Sequence, residues 1–370
     1  MDACWIERIE DFEKWAPAWD RALRGSKEDN PFVHSEFIQT WWKHYGQGYR
    51  LRIFVLTEGD QVVGGLPLFE DSAGRLEHIG RNAANYTEFL IAPGRQQIWD
   101  PFLAALSKRK GWRQVLIKRV RQDRLHFSQA LVRAHPELLV QAPQTELTHG
   151  VSIPDDFSRI GQQIHRRLWS LVKRMRNKIH RMGPVRLETV ETPDRLRRFM
   201  EQFIQFSKMT FRDRGMRSNF EAEAFCRFFT ELVDRFLKRG FLEAKVLWVK
   251  DQVLAMSFGY SLGDNRNIIL STYNPAWAHL RPGHLMIYHL LEEGSRLGKP
   301  LMDFYTGQYR YKEHWSSRRD PVHTVEIRPR CLRGWLAHAV STGRWGLRGY
   351  SRSHPHLHRW VQKVRGVRIN

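Results

Sequence analysis

One succession of elements occurs twice in the chain, and this repeat constrains the fold more than any other feature. Gln61-Val62-Val63-Gly64 is matched by Gln252-Val253-Leu254-Ala255, Pro93-Gly94-Arg95 by Pro282-Gly283-His284, and Trp112–Ile117 by Pro300–Phe304. The spacing is roughly 190 residues, so the repeated unit is a whole domain. A chain of 370 residues, 42% hydrophobic, has the length and apolar content for two such domains. Three far-separated cysteines (Cys4, Cys226, Cys331) predict reduced thiols rather than a disulfide framework. The start lacks a basic, apolar leader, and no apolar run reaches 18 residues. A cytoplasmic protein is the expectation.

The second copy is the more informative. Three β-rich runs, Phe241–Val249, Gln252–Tyr260 and Arg266–Tyr273, are separated by Lys250-Asp251 and Gly263-Asp264-Asn265, which is hairpin chemistry. Leu285, Met286, Tyr288, Leu290, Leu291 and Leu297 then follow helical spacing from Pro282-Gly283 to a stop at Gly298. Leu301–Tyr305 is a further strand, ending in Thr306-Gly307. At the helix start the amides of Gly283, His284 and Leu285 are expected to lack intrahelical partners and to carry the positive end of the helix dipole. With Arg281 beside them they are the candidate contacts for an anionic cofactor, and Gly283 would let backbone and phosphate approach closely.

The first copy reads as the hairpin Leu51–Thr57 and Gln61–Phe69, strands Arg75–Gly80 and Phe89–Ile91, helix Ile98–Leu106 and strand Trp112–Lys118. It is preceded by an opening strand and two amphipathic helices whose aromatics (Phe12, Trp15, Trp19; Phe37, Trp41, Trp42, Tyr45) are core candidates. Strands alternating with helices, yet starting with hairpins, imply a mixed α/β fold in which each domain is a sheet flanked by helices. The expected arrangement is two sheets facing each other across a cleft, with domains at 1–150 and 151–330 joined by a linker at Gln141–Pro154.

Charge narrows the partners. The net charge is +21 and the pI near 10.3, which calls for an anionic partner. Nine Lys/Arg and no acid lie between Phe157 and Leu187, over an apolar stripe of Leu168, Val172, Met175 and Ile179. This is either a solvated charged face or a phosphate-contacting helix. Thr192-Pro193-Asp194 caps the next helix, which ends at the loop Arg212–Gly215. From Arg328 to Asn370 there are ten Lys/Arg, with Trp335, Trp345, Tyr350 and Trp360 interleaved, so a tail at 331–370 is expected to lie on an anionic membrane surface, the alternatives being a helix packed on the protein or a disordered tail. Nucleotide-loop, metalloprotease and Cys-x-x-Cys motifs are absent, and no metal site is expected.

Asp303-Phe304-x-x-Gly307, then Tyr311-Lys312 and Trp315, resemble the hallmark D-F-x-x-G-x-x-x-Y-K-x-x-W of the tandem GNAT acyltransferases of the CelD-like, FemAB-related branch. The likeness covers about residues 30–330. The phosphate loop departs from the common GNAT form, with one glycine, Gly283, where that form has two. The resemblance implies two tandem GNAT domains and acyl transfer from acyl-CoA, acetyl-CoA first, to an amine or hydroxyl on a small molecule or sugar, such as a surface-polysaccharide precursor. Asp303 would act as general base or acceptor-orienting carboxylate, or else as a turn residue. Lys312 would stabilise negative charge, or pair with Asp303. Tyr311 or Tyr309 would donate to the leaving thiolate. Gly307 would permit close approach, Arg214 would contact the acceptor, and Tyr273 would line the pocket. Tyr86 precedes Pro93 as Tyr273 precedes Pro282 and is expected on the acceptor side of the cleft. The first copy lacks the hallmark and is expected to be structural or acceptor-binding. Two rivals stand beside this: a FemAB-type transferase drawing on aminoacyl-tRNA, which the basic charge favours, and a non-catalytic scaffold at a membrane surface. DNA is not an expected partner.

Overall fold

The protein is described by a computed structural model covering residues 1–330 apart from 24–29, 82, 96, 97, 126, 127, 264 and 308. In chain order its elements are β1 (Asp2–Ile6), α1 (Ile9–Leu23), α2 (Ser35–Tyr45), β2 (Arg50–Glu58), β3 (Gln61–Glu70), β4 (Arg75–His78), β5 (Leu90–Ile91), α3 (Trp99–Lys108), β6 (Gln114–Arg121), α4 (Gln122–Leu125), α5 (Gln129–Ala134), β7 (Leu138–Gln141), β8 (Gln144–Ser152), α6 (Arg166–Met182), β9 (Val185–Thr189), α7 (Pro193–Arg212), α8 (Glu223–Lys238), β10 (Leu242–Val249), β11 (Gln252–Leu262), β12 (Asn265–Tyr273), α9 (Pro282–Arg296), β13 (Leu301–Thr306), α10 (Arg310–Trp315) and β14 (Pro321–Pro329). The expected hairpins, caps and helices of both copies are present. Thr192 accepts from the amide of Arg195 as the N-cap of α7, and Gly298, at φ 65°, follows α9 as a left-handed stop.

Two expectations are corrected. The sheets do not face each other as separate layers: the strands form one continuous 14-stranded sheet in the order β1-β2-β3-β4-β6-β14-β8-β13-β12-β11-β10-β9, with β5 on β3 and β7 on β14. The stretch Gln141–Pro154 is not a free linker, because most of it is β8. That strand pairs with β13 on one side (Gly150↔Asp303) and with β14 on the other (Glu146↔Val322). β14 in turn pairs with β6 (Val325↔Ile117). The strand that ends the second half thus closes the sheet of the first. Threonines made β8 look like a loop. Thr145 and Thr148 are buried, and Thr145 hydrogen-bonds Thr324 of β14 at 3.1 Å between hydroxyls, so polar β-branched residues serve here as core strand residues.

Three apolar cores follow from this sheet. One lies between the halves and draws on both: Trp19, Phe32, Phe37 and Trp41 of the first pack with Phe199, Phe203, Phe236 and Tyr260 of the second. A second covers the other face of the first half, with Phe54, Trp99, Phe102 and Ile327. A third covers the other face of the second half, with Leu168, Val172, Leu285, Met302 and Trp315. The shared core means that residues at the seam are set by both halves. No helix among the described residues is long and apolar enough to cross a membrane. The basic, aromatic tail lies outside the described residues.

Candidate active site

Parallel pairing of β12 with β13 stops early. Asn265↔Leu301, Arg266↔Met302 and Asn267↔Asp303 are in register, after which the two strands run on without pairing each other. Irregularities flank this point: β11 and β12 shift register at Phe258/Gly259, and β13 and β8 shift between Asp303 and Thr306. Gly259 is required there, since a β-carbon would collide with the carbonyl oxygen of Asn267. The strands therefore splay into a wedge with Asn267 and Asp303 at its apex. Ile268, Ile269 and Leu270 stay only half-buried although they sit in the middle of the sheet.

The start of α9 lies at the other end of β12. Its N-cap is Arg281, held at φ 56° and exposed to solvent. Here the sequence reading needs correction. The amides of His284 and Leu285 both bond to the carbonyl of Arg281, at 3.0 and 3.3 Å, which leaves the amide of Gly283 as the one without a backbone partner. The side chains of His284 and Leu285 also turn inward. Leu285 is fully buried. His284 accepts at Nδ1 from the indole N–H of Trp315 at 2.9 Å; burial, then the charge of Arg281, lowers its pKa to about 4, so the ring is neutral and suited to accepting. The space outside Gly283 is open: a β-carbon there would meet nothing within 4 Å.

The motif Asp303–Trp315 forms one wall of the wedge, and its fixed residues have separate physical tasks. The carboxylate of Asp303 accepts the amide of Tyr305 on Oδ1 at 2.6 Å. Phe304 and Trp315 are core residues. Gly307 adopts φ 114°, a conformation that favours glycine. Lys312 is 7% exposed and its ammonium donates to the carbonyls of Phe304 and Thr306, each at 2.6 Å. It thereby spans Tyr305, which sits at φ 60°. Burial lowers the pKa of Lys312 to about 8, and the charge of Asp303 partly opposes that. Tyr309 and Tyr311 are exposed beside it, with the ammonium 5.5 Å from the centre of the Tyr309 ring. The Tyr311 side chain is only just over one third exposed, and desolvation of its phenol raises the pKa from 10 to about 12, so it is protonated at neutral pH.

Across the seam, the first half reaches the same carboxylate. Tyr86 is buried and its hydroxyl donates to Asp303 Oδ2 at 2.6 Å. Burial and the neighbouring Asp303 charge push its pKa well up, so it remains a donor. Tyr86 thus contacts the candidate catalytic residue directly. On the second half Arg214 donates to the hydroxyl of Tyr273 at 3.2 Å, so these two candidates stand together at the open end of β12. Arg81 from the first half and Arg217 from the second line a cavity of about 840 Å³ between the halves, walled by Trp41, Tyr45, Tyr49 and Phe225. A smaller hollow shares Arg81 and continues to Thr87 and Arg119, and the charge of Arg119 acts on Lys312.

Several residues of this region were not singled out from sequence. Asn267, buried beside Asp303, has no hydrogen-bond partner for Nδ2. Among the described residues, Arg119, Arg281 and Tyr305 are three of the four non-glycine residues at positive φ, and all three surround the site; such strain collects where function over-determines the backbone. No sequence pattern marks a left-handed arginine or tyrosine. Among the described residues one histidine–carboxylate cluster, Asp20, His34 and Glu36, has ligand atoms within 4.8 Å of one another, but Arg239 already bridges both carboxylates at 2.8 Å.

The splayed β12/β13 pair, the helix start at its open end, and the carboxylate and lysine beside it make up the candidate site. Residues 166–313 match the acetyltransferase (GNAT) domain, so the second half carries a GNAT-type acyltransferase domain. The whole fold is similar to that of FemX, with a TM-score of 0.62 at 12% identity over 88% of this chain and 97% of that one. It is also similar to the C-terminal domain of a putative lysylphosphatidylglycerol synthetase from Agrobacterium fabrum (0.54, 8% identity, 89% and 96% covered) and to L-PGS from Bacillus licheniformis (0.51, 12%, 86% and 98%). No curated protein matches the chain in sequence.

Proposed function

We propose that the chain transfers an acyl group from acyl-CoA, bound in the wedge of the second half, to an amine or hydroxyl on an acceptor held between the halves. The observation that carries this is the splay of β12 from β13 opening toward the start of α9, where an exposed arginine and a free amide meet open space. Arg281 and the Gly283 amide would hold the pyrophosphate. Asp303 would take the proton of the acceptor, Lys312 would steady the negative charge that develops on the carbonyl oxygen, and Tyr309 or Tyr311 would protonate the departing thiolate. The aromatic walls of the 840 Å³ cavity, with Arg81, Arg217 and Glu221 among its lining, suit a ring-shaped polar acceptor such as a sugar.

Calorimetry with CoA tests the donor site. Arg281→Ala removes a charge-assisted contact of roughly 1.5–3 kcal/mol, and Gly283→Val fills the approach at a position where a β-carbon meets nothing within 4 Å. Each should weaken CoA about tenfold or more; unchanged affinity in both would remove the assignment. The same titration should give one CoA per chain. The first-half counterpart, around Pro93 and Arg95, is lined by Glu58 and Asp60 as well as Arg21, and Glu58 already pairs with Arg95, so the hollow has no excess positive charge to offer a phosphate. Two equivalent sites would contradict this.

One observation favours a second reading, an aminoacyl-tRNA donor. Arg166, Arg167, Lys173, Arg174, Lys178 and Arg181 are exposed on α6, and among the described residues none of them has an acidic partner. A helix face of this kind suits a phosphodiester backbone. Stabilisation of the protein by tRNA, with no effect of CoA, would support this donor over the first.

A further inference from the structure

The apolar seam between the halves contains one buried ion pair that the proposed chemistry does not use. Glu88 is 0% exposed. Arg121 grips it with two bonds, Nε to Oε1 at 2.5 Å and a terminal nitrogen to Oε2 at 2.8 Å. Asn30, itself buried, donates to the same Oε2 at 3.1 Å. Buried pairs of this kind are weak evidence for stability, since apolar residues of equal volume commonly do as well. The geometry beyond the pair is what is informative. The Arg121 guanidinium lies 5.1 Å from the centre of the Tyr86 ring, that ring packs edge-to-face with Tyr305 with centroids 5.0 Å apart, and its hydroxyl reaches Asp303.

We infer that Glu88 and Arg121 are positioning residues of the first half that fix Asp303 through the ring of Tyr86. The ion pair sets the plane of the guanidinium, and the half-buried guanidinium sets the ring by a cation–π contact. The ring then delivers one hydroxyl to Oδ2, while the Tyr305 amide holds Oδ1. With both oxygens committed, the carboxylate has one orientation toward the wedge. This gives the half without the hallmark a task that ties the two domains into a single enzyme. The inference rests on Asp303 acting at the reacting centre for its importance to turnover, though not for the contact it describes.

The test is the titration of Asp303, followed by carbon-13 NMR of labelled aspartate carboxyls in the full chain and assigned by the signal lost in Asp303→Asn. A hydrogen bond to the charged form lowers the midpoint, so Tyr86→Phe should raise it by about half a pH unit or more. Glu88→Gln decides between positioning and plain electrostatics. Removing a negative charge would by itself lower the Asp303 midpoint, whereas loosening the guanidinium and ring should raise it. Arg121→Lys keeps the positive charge but loses the flat, two-bond grip, and should raise it as well. Combining Glu88→Gln with Tyr86→Phe should add little to Tyr86→Phe alone. A lowered or unchanged midpoint in both Glu88→Gln and Arg121→Lys overturns the inference, and full additivity in the double variant does so too. Normal turnover in Asp303→Asn would instead remove the catalytic role of Asp303 and leave the positional contact standing.

Discussion

Asp303→Asn is expected to lower turnover about 100-fold or more while CoA affinity stays within about twofold. Asparagine has the same shape, and its carbonyl oxygen can still accept the Tyr305 amide now held by Oδ1. Its amide nitrogen would then face the Tyr86 hydroxyl, which can rotate to accept rather than donate. The fold is therefore expected to survive, and what is lost is the basic oxygen at the apex of the wedge. On the proposed reading donor affinity is set at Arg281 and Gly283, at the far end of β12, and should not follow. Steady-state kinetics beside CoA calorimetry checks both halves of this expectation. Normal turnover would make Asp303 a turn residue whose task is to hold Tyr305 at positive φ.

Lys312 carries the second large effect, and here activity and stability should move in opposite directions with pH. Burial brings its pKa to about 8. Below that the ammonium is charged and can steady a developing oxyanion; above it the charge is lost, so turnover should fall as pH rises through about 8. Stability has the other sign. The unfolded-state pKa is near the ordinary 10.5, so between about 8 and 10.5 the unfolded chain binds more protons, and this group favours the folded state increasingly as pH rises across that window. Lys312→Arg retains charge throughout and should remove the alkaline fall in turnover. Lys312→Met should cost about 100-fold in turnover and leave the carbonyls of Phe304 and Thr306 unpaired, at about 1–3 kcal/mol each. pH–rate profiles with parallel thermal melts check this. An alkaline limb unchanged in Lys312→Arg would show that another group controls it.

The elements that lean on local chemistry could be read directly from the residues. The hairpins around Lys250-Asp251 and Glu58-Gly59-Asp60, the Thr192 cap and the Gly298 stop are set by a few neighbouring residues, and each lies where its turn or cap residues place it. The repeat at roughly 190 residues likewise gave two halves with like order. What depends on long-range pairing could not be read. β8 is polar and rich in threonine, and only its partners β13 and β14, some 150 residues further on, make it a buried strand. Continuity of the sheet followed from the same pairings. At the site, the hallmark from Asp303 to Trp315 named the wall but not what it touches. That Trp315 serves His284, that Lys312 spans Tyr305, and that Tyr86 reaches Asp303 from the other half are facts of packing. Two of the three α9 amides are satisfied because Arg281 is the N-cap, and an N-cap carbonyl accepts the first intrahelical bonds, here from His284 and Leu285.

A structure of the full chain with a non-hydrolysable acetyl-CoA analogue tests the central claim most directly. The account expects the pyrophosphate against Arg281 and the Gly283 amide, the thioester mimic between Ile268–Leu270 of β12 and Phe304 of β13, and its carbonyl carbon on the side of the wedge that Asp303 and Lys312 face. An analogue bound in the first half near Pro93, or no binding by a protein that charged tRNA does stabilise, would contradict it.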